Sequence, residues 1–238
     1  MYRRFSPVRS FGVLGAQLGH ARAMSEGHAV TAIDTLLVPD ATMLQHAEAA
    51  NTRLLKDFPN GFALGADHQP HISCLQCYVQ TVKLDDVYDA VGGVVAAVHP
   101  ETWELRAVKY SYVPWRGLGL AEIMVEPTDE LLQFQEKLID AIAPFTSATA
   151  TADAYVATQQ DPFIVEPVID QVATFVHSEV GANFMPHVTI GVATEESLNK
   201  MLDEPFEPFT FSPAGVSIYH VGDCGAPAVE LAGWDFTQ

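Results

Sequence analysis

Two segments of this chain rhyme: Pro70-His71-Ile72-Ser73-Cys74 and Pro186-His187-Val188-Thr189-Ile190. Each reads proline, histidine, aliphatic residue, hydroxyl residue, apolar residue, and they stand about half a chain apart. A strand points residues i and i+2 to one face, so each segment projects an imidazole and a hydroxyl together. A helical pattern and a break precede each segment, and another helical pattern comes after it. The two halves of the chain thus repeat one order of elements.

The rest of the pattern fits that plan. Residues 29–38 read as a strand closed by Pro39, and Asp40 as the N-cap of a helix running to about residue 57. Pro59-Asn60-Gly61 breaks it before the His71 strand, which runs to about residue 82. A helix over 84–98 carries Val87, Val91, Val94, Val95 and Val98 on one side, weakened by Gly92-Gly93. Residues 103–113 and 119–125 suggest a hairpin around Pro114 to Gly117. Thr128 opens a helix with Leu131, Phe134, Leu138 and Ile142 as its buried stripe, stopped by Pro144. A helix over 167–180, the His187 strand, a short helix over 195–202 and strands over 208–221 and 228–236 complete the chain. Interleaved helices and antiparallel strands predict an α+β fold. The expected arrangement is bilobal and pseudo-twofold: two mainly antiparallel sheets flanked by helices, with the Pro-His strands facing across a central groove. Residues 28–238 are expected to form one such domain.

Composition narrows the partners. With 48% hydrophobic and 18% charged residues, a chain of 238 residues supports a sizeable core. No apolar run reaches the roughly 18–20 residues that span a bilayer, so no membrane partner is expected. The formal net charge is −18, and four of the 12 basic residues (Arg3, Arg4, Arg9, Arg22) lie in the first 23 positions. Long nucleic acids need dense cationic surface and are disfavoured, whereas a small phosphate ester or short strand end fits a locally positive pocket. Cys74, Cys77 and Cys224 are odd in number and read as buried reduced thiols.

Residues 1–27 form an N-terminal extension outside the fold. They suit a mitochondrial-type transit segment, a weak secretory signal, or sequence upstream of a true start at Met24. A cytoplasmic location is expected, with mitochondrial or exported as the alternatives.

The two motifs resemble the mark of the two-histidine phosphoesterase superfamily, which includes 2′–5′ RNA ligase-like proteins and cyclic nucleotide phosphodiesterases. That mark is histidine, aliphatic residue, threonine or serine, and an apolar residue, occurring twice about half a chain apart. The resemblance covers residues 29–238, and Phe209 to Phe236 resembles the family's closing hairpin. Ser73 and Cys74 depart from the more usual threonine and aliphatic residue, though serine keeps the hydroxyl. The resemblance implies hydrolysis of a 2′,3′-cyclic phosphate or related phosphodiester on a nucleotide or short RNA end, or its reversal as ligation. It implies catalytic roles for His71, Ser73, His187 and Thr189.

Histidine suits such work because its pKa, roughly 6.5, lets it hold or release a proton near neutrality. One neutral imidazole takes a proton from water and the other donates to the departing oxygen; the sequence leaves open which does which. The hydroxyls of Ser73 and Thr189 donate to non-bridging oxygens. Neither a cofactor nor a metal is called for, and a monomer is expected. His68, His71, Cys74 and Cys77 recur every third position, but on a strand or helix they cannot converge on one ion. Tyr110, Trp115 and Arg116 belong to the one basic and aromatic concentration of the body and are candidates for stacking a base and steadying a phosphate. Their alternative reading is an amphipathic hairpin with its aromatic side in the core. Two other functions compete: a nucleotide-binding module without turnover, and a phosphoesterase for a non-RNA small molecule.

Overall fold

The structure, a computed structural model, describes residues 29–65, 68–115, 117–157, 163–222 and 225–237. The N-terminal extension, Arg116, Cys224 and the side chain of Trp115 lie outside the described residues. No helix of the described residues is long and apolar enough to cross a membrane.

Val30–Pro39 forms β1, buried along both faces except near its ends. Burial on two sides accounts for its mainly apolar sequence and makes the carboxyl of Asp34 an anomaly within it. On one side β1 pairs with β2 (Ile72–Gln80) and on the other with β7 (Pro213–Val221), which also pairs with β8 (Pro227–Asp235). The second sheet joins β3 (Leu105–Trp115), β4 (Leu118–Val125), β5 (His187–Ala193) and β6 (Phe209–Phe211). The strand orders are β2-β1-β7-β8 and β5-β4-β3-β6, every pairing antiparallel. Each histidine segment thus occupies an edge strand, and the two edges, β2 and β5, adjoin. The expected α+β plan of two antiparallel sheets with helices is the one the chain adopts.

The helices interlock the halves. In α1 (Ala41–Asp57), Asp40 caps the first turn by accepting from the Thr42 and Met43 amides, and Met43, Ala47, Ala50 and Leu54 form the buried stripe. That stripe packs on β5, in the other sheet, while α4 (Glu166–Ser178) packs on β2. Helix α2 (Leu84–Val98) lies against α3 (Asp129–Ile142), and α5 (Glu195–Leu202) comes directly after β5. The main core accordingly runs through both halves, including Ile33, Leu75, Phe134, Ile123 and Val188. Gly92, which weakens the α2 pattern, has a packing reason: a Cβ there would stand 3.2 Å from Nε1 of Trp234.

One expected strand proved to be two. Residues 208–221 change sheets at Ser212: β6 pairs with β3, and β7, opening on Pro213, pairs with β1. Asp40 marks the crossing, since its carboxylate accepts from the Ser212 amide at 2.9 Å. The hydrophobic pattern is continuous across the corner because both sheets bury against one core.

Candidate active site

Pro70 and Pro186 deliver the two histidines to their edge strands in the same way. Nδ1 of His71 lies 2.7 Å from the carbonyl oxygen of Gln69, and Nδ1 of His187 lies 2.8 Å from that of Met185. A carbonyl only accepts, so each Nδ1 carries the hydrogen and each neutral ring keeps its lone pair on Nε2. The motif residues alternate in exposure: His71, Ser73, His187 and Thr189 are half-buried, and Ile72, Cys74, Val188 and Ile190 are buried. Imidazole and hydroxyl share a face in each strand.

Both strands also bulge at the same motif position. In the β1–β2 ladder Leu36 pairs with Ser73 and Thr35 with Leu75, leaving Cys74 as the extra residue. In the β4–β5 ladder Glu122 pairs with Thr189 and Ala121 with Gly191, leaving Ile190 extra. A bulge inserts one residue and re-aims the side chains beyond it. On β2 it turns Gln76, three positions after Ser73, to the same carboxyl that Ser73 meets. On β5 the next residue is Gly191 at φ 145°, a backbone region that favours glycine. Asn51 of α1 seals that bulge, its amide donating to the Ile190 carbonyl at 2.8 Å.

Each histidine strand has a buried carboxyl on the strand beside it. Asp34 of β1 is 0% exposed, and Glu122 of β4 is 5% exposed. Asp34 Oδ2 lies 2.6 Å from Ser73 Oγ and accepts from Gln76 Nε2 at 3.0 Å. Glu122 Oε1 lies 3.7 Å from Nε2 of His187. Burial raises the pKa of Asp34 above the ordinary carboxyl range, opposed by charge on His71 and His187 and by its two hydrogen bonds. Burial raises Glu122 likewise, with His187 pulling it down. Burial lowers the pKa of His71, partly offset by Asp34 and by the Gln69 carbonyl, and charge on His187 lowers it further. Asp34, His71 and His187 thus feel one another's charge where β2 adjoins β5.

A second layer steadies His71. The Tyr219 hydroxyl on β7 donates to Oε1 of Gln69 at 3.0 Å, and the Gln69 carbonyl holds the His71 ring. Thr189, by contrast, has a hydroxyl with no protein partner among the described residues, leaving it open to a ligand.

Sequence reasoning missed Asp34, Glu122, Gln76 and Tyr219. Asp34 and Glu122 carried a signal, each being the lone charge within an apolar strand, VTAIDTLLVP and LGLAEIMV. Of the expected substrate-binding residues, Tyr110 is corrected. It pairs with Ile123, which pairs with Val188, so its row lies on the sheet face opposite His187 and Thr189. Its ring instead packs edge-on against Phe206 at 4.8 Å, the core-side alternative. Trp115 ends β3 and Arg116 lies outside the described residues. Cys74 and Cys77 are core thiols, and burial pushes Cys77 up to about 12. His68 precedes β2, in a bridge with Gly65, off the strand that carries the two thiols.

No protein-family model matches the chain, and no curated protein matches its sequence. Solved structures are similar to it in fold. TT0787 of Thermus thermophilus shares 15% identity at a TM-score of 0.49, over 86% of this chain and 97% of that one. E. coli LigT, complexed with 3′-AMP, shares 13% at 0.44, over 88% and 99%. The PDE domain of MHV ns2 shares 9% at 0.44, over 85% and 99%.

Proposed function

We propose that this chain is a phosphodiesterase that opens a cyclic phosphate, such as a 2′,3′-cyclic phosphate on a nucleotide or short RNA end, with its two histidines as base and acid. The supporting observation is the matched pinning of the two rings. Each Nδ1 is tied to the carbonyl two residues earlier, which leaves both Nε2 atoms for proton transfer.

The surroundings of the rings support a division of labour. His71 is the base: burial favours its neutral form, whose Nε2 lone pair takes a proton from water as the water oxygen bonds to phosphorus. His187 is the acid: its side chain is 40% exposed, and its Nε2 lies 3.7 Å from Oε1 of Glu122. It gives its Nε2 proton to the ribose oxygen as the phosphorus–oxygen bond breaks. The Thr189 hydroxyl donates to a non-bridging oxygen, where charge builds in the transition state. Each proton transfer contributes on the order of 10²–10⁴-fold. The net charge of −18 supports a small substrate over a long polynucleotide.

The test is a panel of cyclic and linear phosphodiesters, assayed with and without chelator. Hydrolysis of a nucleoside 2′,3′-cyclic phosphate, unchanged by chelator, is expected. Tight binding of that compound without product would overturn the reading in favour of a binding module.

A further inference from the structure

Next to the His71 motif, Asp34, Ser73 and Gln76 form a polar cluster with one proton too few. Asp34 Oδ2 has two neighbours, the Ser73 hydroxyl and the Gln76 amide nitrogen. Among the described residues its Oδ1 is buried with no partner, and so is Oε1 of Gln76. The Gln76 amide cannot turn over to help. Its Nε2 also donates to the Gly225 carbonyl at 3.1 Å, and a carbonyl accepts nothing from Oε1. Among the described residues no lysine or arginine pairs with Asp34.

An ionised Asp34 would leave a charged oxygen bare in the core, the costliest kind of unsatisfied group. It would also claim the single hydrogen of Ser73, so that the hydroxyl had none to offer a phosphoryl oxygen. A proton on Oδ2 removes both conflicts. The acid then donates to Ser73 Oγ, at a separation of 2.6 Å that suits an O–H···O bond. Oδ2 still accepts from Gln76, and Oδ1 becomes a neutral carbonyl oxygen.

Among the described residues, few titratable groups interact with Asp34. His71 and His187 feel its charge, as do the core thiols of Cys74 and Cys77, and Tyr219 is its register partner on β7. Charge on the imidazoles favours the carboxylate, and burial, the larger effect, favours the acid.

We infer that Asp34 is kept as the neutral acid and is a positioning residue: it donates to Ser73 Oγ and turns the Ser73 hydrogen toward a non-bridging oxygen of the substrate. The role toward substrate rests on the phosphodiesterase reading, whereas the protonation state of Asp34 does not. In this arrangement Ser73 and Thr189 both become donors, one oriented by a buried acid and one free.

Infrared spectroscopy at neutral pH tests the first half without any substrate. The wild type should show the carbonyl stretch of a protonated carboxyl, shifted by carbon-13 labelling of aspartate and absent from Asp34→Asn. A wild type lacking that band overturns the proposal. Turnover of a nucleoside 2′,3′-cyclic phosphate tests the second half. An Asn amide that donates to Ser73 would meet the Gln76 amide nitrogen, so both variants carry Gln76→Leu as well; in that background Asp34→Asn should retain at least about tenfold more kcat than Asp34→Ala, at similar KM. Adding Ser73→Ala to Asp34→Ala should cost little more. Equal loss in the Asn and Ala variants, with both folded by circular dichroism, overturns the positioning role. If the wild type turns over no phosphodiester, the functional reading fails, and the infrared band still decides the state of Asp34.

Discussion

His187 and Glu122 face each other across neighbouring strands, Nε2 to Oε1 at 3.7 Å, with Glu122 buried and the imidazole reaching solvent. The pairing has a measurable pH signature. Burial raises the pKa of Glu122, so the folded state holds its proton to higher pH than the unfolded chain. Its contribution to stability is full below the unfolded carboxyl value and is lost as pH rises through the folded one. Glu122→Gln removes that loss. The melting temperature of the variant relative to wild type should rise from mildly acid to neutral buffer. A constant difference would show that Glu122 titrates as an ordinary carboxyl.

Replacing either ring should remove turnover without unfolding the chain. His71→Ala and His187→Ala are each expected to lose at least about a hundredfold in kcat on a cyclic phosphodiester. The double variant should lose far less than the product, because acid and base act in one step. Circular dichroism should match wild type, since both rings sit on edge strands and are only half-buried.

The base sets the acid limb of the rate profile. Burial holds His71 below 6.5, its ordinary value, so the acid limb of kcat/KM should lie below that of a free imidazole. Activity should persist into mildly acid buffer and fall only when His71 gains its proton. An acid limb at or above 6.5 would assign the base elsewhere.

Tyr219→Phe probes the second layer around His71. The lost hydroxyl frees Gln69, whose carbonyl orients the imidazole. One hydrogen bond of about 1 kcal/mol corresponds to about a fivefold fall in kcat. Substrate affinity should change little and the melting temperature should fall by only about 2–4 °C, so a fall in kcat at constant KM reports positioning.

Asn51→Ala tests the cross-half clamp. Its amide donates to Phe62 and Ile190 carbonyls at 3.0 and 2.8 Å, and its oxygen accepts from the Leu64 amide at 3.1 Å. Leaving these groups unpaired should cost about 3 kcal/mol. In a domain of this size that lowers the melting temperature by about 6–12 °C. Because Ile190 is the extra residue of the β5 bulge, activity should fall along with stability.

Much of this protein is local and therefore readable from the chain alone. Helices α2 and α5 run over the expected 84–98 and 195–202, because a 3.6-residue stripe and caps such as Thr194 are properties of neighbouring residues. The pairing of imidazole with hydroxyl likewise comes from strand alternation. Contacts between distant segments left weaker traces. Asp34 reaches Ser73 across a ladder whose register depends on the bulge at Cys74, and no short-range pattern marks a bulge. The corner at Ser212 was invisible because its two strands bury against one core and so carry one hydrophobic pattern. Tyr110 left the site for a similar reason: composition marks an aromatic strand, but only register assigns the face on which each ring lands. Periodicity and capping are written into adjacent residues; register, and the burial that sets the charge of Asp34, Glu122 and His71, arise only when strands far apart in sequence meet.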